Sequence, residues 1–145
     1  MNTTSTEPDR PDLAAMVVPL GRALTRLEEP IVREHGLAPW AYTVLTALAE
    51  GPLRTQSALA ERIRADKTRL IPVLDDLQQR GLIERRPDPA DRRVRLLAAT
   101  VEGREKALKA QAEIRRREDD LLDRLPPEDR RSFLRALRTL AGNLP

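Results

Sequence analysis

Apolar residues recur every three or four positions along most of this chain, and the pattern breaks only once, near residues 82–97, where β-forming residues flank a loop of turn formers. That pattern restricts the fold to helices with one small hairpin. Leu13, Val17, Leu20, Leu24, Leu27 and Ile31 step by 4, 3, 4, 3 and 4, the seam of a helix packed along another helix. Pro19 falls within the seam and is expected to kink the helix or mark its true start, because an interior proline removes a backbone hydrogen bond. Pro30, His35 and Gly36 are expected to close it. A second helix should open with Pro39 in its first turn and run through Trp40, Val44, Leu45 and Leu48 to Gly51-Pro52. Thr55 can cap a short third helix carrying Leu59, Ala60 and Ile63. After a tight turn at Arg64-Ala65, Asp66 can cap a fourth helix whose buried stripe reads Leu70, Val73, Leu74 and Leu77, with Gly81 as its left-handed end.

Residues 82–86 and 93–97 then read as strands flanking Pro87-Asp88-Pro89-Ala90-Asp91-Arg92, a hairpin with a charged tip. Two short helices joined by about three residues form a helix-turn-helix, and a hairpin directly after it makes a winged helix. Thr100 starts a long helix with Ala107, Leu108, Ala112, Ile114, Leu121, Leu122 and Leu125, which reads as too polar for the centre of a core. Pro126-Pro127 break it, and a last helix carries Phe133, Leu134, Leu137, Leu140 and Ala141. The expected fold is mainly α with a small β-hairpin wing. Its helices at either end have apolar stripes and no sheet to cover, and a second copy of the chain would bury them.

At 145 residues the chain fits one domain. Residues 1–11 are polar and are expected to form a disordered tail. Residues 12–145 form the domain, with 12–36 and 101–145 as dimerisation helices and 37–100 as the winged lobe. There is no cysteine and a single histidine, His35, which excludes disulfides, thiol chemistry and His/Cys metal sites. The six glycines are scattered singly, so no phosphate-binding loop exists. No nucleophile with a paired base can be drawn, and the expectation is no catalytic site, no metal and no cofactor. No signal segment opens the chain and no run approaches the roughly 18 apolar residues of a membrane span, so a cytoplasmic location without a membrane partner is expected.

Charge is unevenly placed. From Arg64 to Arg95 there are nine basic and six acidic residues, a surplus equal to the +3 of the whole chain. The basic excess thus coincides with the fourth helix and the hairpin, and could meet an anionic polymer.

Arg85-Arg86-Pro87-Asp88-Pro89-Ala90-Asp91-Arg92-Arg93 resembles the Arg-Arg-x-Asp-Pro-x-Asp-x-Arg wing signature of the MarR family of bacterial transcriptional regulators. Tyr42-Thr43-Val44-Leu45, Leu59-Ala60 and Arg80-Gly81-Leu82-Ile83 resemble further segments of that family. So does Thr100-Val101-Glu102-Gly103, although Ala99 replaces its leucine. The resemblance runs from about Leu13 to Leu140. It implies a homodimer that binds a pseudo-palindromic site on double-stranded DNA, often as a repressor released by a small aromatic effector. Arg64-Ala65 stands where the family often has glycine, Ala38 where a Ser or Thr cap is common, and Pro72 interrupts the expected recognition helix.

On this reading Lys67, Thr68 and Arg69 meet base edges and phosphates from the first turn of the fourth helix, with Arg69 as the choice for a guanine. Thr55, Gln56 and Ser57 either bind phosphate or only cap the third helix. Asp91 is spaced to hold an arginine two residues on, and the resemblance places Arg93 in that pair, with Arg92 nearer the tip; either arginine could enter the minor groove. Arg85, Arg86 and Arg95 would face phosphate or solvent. His35, Trp40 and Tyr42 are candidate ligand-binding residues, against a plain role for the two aromatics in the core or interface. The competing functional reading is a winged-helix module that docks another protein without specific DNA binding.

Overall fold

The computed structural model describes residues 9–143, so the first eight residues of the expected tail lie outside the described residues. Helix α1 (Leu13–Glu34) runs through Pro19 and Pro30, so Pro19 does not mark its start and Pro30 does not end it, and His35 is its C-terminal cap. Both prolines are exposed, as are Ala15 and Arg26, whose carbonyls lose their helical donors; water can satisfy them, so the helix continues. Burial rises along the seam, from an exposed Leu13 and Val17 to a buried Ile31 and Val32. Only the last turns of α1 therefore belong to the core.

Helix α2 (Pro39–Glu50) begins with Pro39 after an uncapped Ala38 and buries Ala41, Tyr42, Val44, Leu45 and Leu48. Thr55 Oγ1 accepts from the Ala58 N–H at 2.9 Å and opens α3 (Gln56–Ile63). Arg64 closes α3 with φ 54°, the left-handed conformation that favours glycine. Asp66 Oδ1 accepts from the Thr68 N–H at 3.0 Å and opens α4 (Lys67–Gln79), which continues through Pro72. Gly81, at φ 70°, turns the chain into the sheet.

Strands β1 (Ile83–Pro87) and β2 (Arg95–Ala99) pair antiparallel, with Ile83 opposite Ala99 and Pro87 opposite Arg95. Both lie later in the chain than expected. Asp91 Oδ1 accepts from the Arg93 N–H and the Asp91 carbonyl from the Val94 N–H, which draws Arg93 and Val94 into the turn. Leu53 adds a single bridge to β2, exchanging both backbone bonds with Leu97.

Helix α5 (Val101–Leu122) is capped by Thr100, whose hydroxyl accepts from the Gly103 N–H and donates to the Gly81 carbonyl at 2.7 Å. Contrary to its polar reading, the first half of α5 is a core helix that packs on α1 and α2 through Gly103, Ala107, Ala110 and Ile114. Leu108 and Ala112, expected on the apolar side, are exposed. Helix α6 (Pro127–Gly142) has no buried residue. The core thus gathers the end of α1, α2, α3, α4, the hairpin base and the first half of α5.

Candidate nucleic-acid interface

Two stripes of α4 divide its labour. Leu70, Leu74 and Leu77 are buried against the core and Val73 half-buried, while Thr68, Ile71, Pro72 and Asp75, on the opposite side, are exposed. The side chains of Lys67, Thr68 and Arg69 are exposed on the first turn, where the helix dipole also favours an anion. No ion pair engages Lys67 or Arg69 among the described residues. On α3 the Thr55 hydroxyl caps the helix, as its plain reading has it, whereas Ser57 is exposed and Gln56 half-exposed.

The hairpin tip exposes Arg92 and Arg93. Asp91 holds Arg93 through its backbone N–H at 3.1 Å; no guanidinium–carboxylate pair joins Asp91 to Arg92 or Arg93 among the described residues, which corrects the expected pair. A two-residue spacing suits an Asx turn better than a side-chain fork, because the backbone N–H is already within reach. The acid that anchors the wing is Asp88, 7% exposed. It accepts from Arg54 Nη2 at 3.1 Å and from the Ala90 N–H at 2.9 Å, while its own N–H donates to Val94. Arg54 and Asp88 were missed in the sequence because they lie 34 positions apart, and the only local signal was an aspartate between two prolines.

The other wing arginines differ in availability. Arg86 pairs with Glu84 at 3.2 Å and donates to the Ala99 carbonyl, so its guanidinium braces the hairpin. Arg85 and Arg95 are exposed without such partners among the described residues. The fold therefore presents Lys67, Thr68, Arg69, Arg85, Arg92, Arg93 and Arg95 to solvent.

The three candidate ligand residues do not converge. Trp40 is exposed and lines an α1–α2 cleft of about 320 Å³ with Thr25, Glu28, Val32 and Thr43. Tyr42 is buried in the core, and its phenol is pushed up to about 12 by burial first, then by the carboxylate of Glu28. Glu28 itself is pushed above the usual carboxylate range, by burial and then by Glu118. His35 lies at the end of α1, where Nε2 meets Glu113 Oε2 at 2.9 Å beside a separate recess with Glu102 and Lys106. The same α1 terminus is held by Arg80, which donates to the Gly36 carbonyl at 2.7 Å, and by Lys106, which donates to the His35 carbonyl at 3.2 Å. Two cations at a helix C-terminus complement its dipole. Among the described residues no helix is long and apolar enough to cross a membrane.

The model of the MarR family matches residues 35–94. The chain is 37% identical over 100 residues to the transcriptional regulator HosA of Escherichia coli O111:H-, spanning 68% of this chain and 73% of that protein. Among solved structures, CouR from Rhodococcus jostii RHA1, bound to p-coumaroyl-CoA, superposes with a TM-score of 0.77 at 25% identity, over 92% of this chain and 94% of that one. The regulator BldR from Sulfolobus solfataricus has the same fold, with a TM-score of 0.72 at 22% identity over 91% and 94% of the two chains.

Proposed function

Because this chain belongs to the MarR family, and is a DNA-binding transcriptional regulator and not an enzyme, we propose that it acts as a homodimeric repressor of a pseudo-palindromic operator. The observation that carries this reading is the division of α4, whose apolar stripe is locked into the core while Lys67, Thr68 and Arg69 stand exposed on its first turn. A helix so held is rigid enough to enter a major groove. In this reading Arg69 reads a base, Lys67, Ser57 and Gln56 hold phosphates, and Arg92 or Arg93 follows the minor groove from the wing. Arg85 and Arg95 add backbone contacts, Arg86, Asp88 and Asp91 shape the hairpin, and Thr55 caps α3. Residues 12–36 and 101–145 supply the dimer contacts and 37–100 the DNA-binding lobe, with the first half of α5 shared between them.

An effector fits the same scheme. CouR is bound to p-coumaroyl-CoA, and the cleft beside Trp40 gives this chain room for a small aromatic molecule against α1, which is also joined to the end of α4 through Arg80. Footprinting on DNA upstream of the chain's own gene tests the proposal. Half-sites about one helical turn apart are expected, with affinity that falls steeply as salt rises. Arg69→Ala should cost about 1–3 kcal/mol of binding and relax specificity at one base position. If Arg92→Ala with Arg93→Ala left DNA binding unchanged but removed a protein partner, the wing would be a docking surface and the proposal would fail there.

A further inference from the structure

The outward stripe of α4 is unusual for a surface that must meet DNA. Thr68, Ile71, Pro72 and Asp75 follow the i, i+3, i+4, i+7 spacing of a single helix face, directly opposite the buried Leu70, Val73, Leu74 and Leu77. Ile71 is 45% exposed, while leucines and a valine occupy the core side of the same helix. Along the first two turns, residues 67–72, there is no asparagine, glutamine or serine. Hydrogen-bond readout there is confined to Lys67, Thr68 and Arg69, and the middle of the face is a methyl, a sec-butyl and a pyrrolidine ring. Asp75 and Asp76 follow on the third turn, both exposed. Their carboxylates would be repelled by phosphates, so only the first two turns can lie deep in the groove.

The major-groove edges of the four base pairs offer one apolar group, the C5-methyl of thymine. We infer that Ile71, with the Thr68 methyl and the Pro72 ring beside it, forms an apolar reading patch that selects thymine by its C5-methyl group. Lys67 on one side, holding a phosphate, and Arg69 on the other, reading a neighbouring base, flank the patch and seat it against base edges. The inference rests on the reading of α4 as the DNA-entering helix and assigns what the centre of that helix recognises. Ile71 is then a specificity residue, not a structural one.

The test begins with duplexes enriched from random-sequence DNA by the full-length protein. Each thymine of the enriched site is replaced in turn by deoxyuridine, which removes the methyl and keeps base pairing, and the affinity is measured at fixed salt. At least one substitution in each half-site should weaken binding about three- to fivefold, the worth of one buried methyl. In Ile71→Ala, an exposed position where alanine also favours helix, the thymine and deoxyuridine duplexes should bind alike, while a thermal melt confirms that the protein stays folded. An enriched site indifferent to every deoxyuridine, or a methyl preference that persists undiminished in Ile71→Ala, overturns this inference alone. Failure to enrich any sequence overturns both it and the reading of α4 as a DNA-reading helix.

Discussion

Gly103 is a residue whose missing side chain sets where two parts of the molecule meet. A Cβ at this position would lie 1.9 Å from the carbonyl oxygen of Leu82, so the first turn of α5 can sit on the start of the hairpin only without one. Gly103→Ala should therefore destabilise the fold despite alanine's better helix propensity, by about 1–3 kcal/mol as for other overpacked sites, read as a lower urea midpoint. Glu28 has the opposite problem: its carboxyl is partly buried beside Glu118, and no ion pair offsets the charge among the described residues. Its folded-state pKa is raised, so ionisation opposes folding. The penalty is absent below the unfolded value and fully present above the folded one. Glu28→Gln should raise the melting temperature at pH 7, and the gain should shrink as the pH falls towards 4; an equal gain at both pH values would mean that charge is not the cause.

At the scale of elements, local chemistry was legible and long-range chemistry was not. Thr55 and Asp66 were readable as caps, and Thr100 as the start of α5, because a cap needs only its own residue and the next three. The core face of α5 was legible only at Ala107 and Ile114; Gly103 and Ala110 were not, because they give close backbone approach instead of large apolar groups, and hydrophobic periodicity is blind to that. The hairpin was recognisable from its composition, yet its strands sit one or two residues later because aspartate side chains hold the turn open. In the wing, Asp88 and not Asp91 is the buried anchor, a role fixed by Arg54 from beyond the other end of α3 and α4. Asp88→Ala should leave the helical core folded but free the Ala90 amide, seen as faster hydrogen exchange at the tip. The lost buried acceptor should cost about 1–3 kcal/mol locally, and DNA affinity should fall with the core unchanged.

At the scale of the whole molecule, one chain leaves apolar surface uncovered on α1 and α6. α6 is a 16-residue helix with no buried residue, tied to the end of α5 by the ion pairs of Arg130 with Asp119 and Asp123, and most helical stability comes from packing an apolar face. Leu137 and Leu140 are exposed on it, as are Leu13 and Val17 on the outer end of α1, while Leu20, Leu24, Phe133 and Leu134 line an apolar groove between α1, α5 and α6. In the proposed homodimer a second copy covers these surfaces, and the assembly carries two α4 helices, each with its own +3 block. Binding then gains from bivalency, since the second half-site is reached without a second diffusional encounter. Leu137→Glu with Leu140→Glu should shift the sedimentation coefficient from dimer to monomer and lower affinity for a two-half-site duplex by roughly 100-fold or more. The slope of log affinity against log salt should also drop to about half, because half the phosphate contacts are lost. A monomeric variant that kept the full slope and affinity would show that one chain binds DNA unaided, and a variant that remained dimeric would place the interface elsewhere.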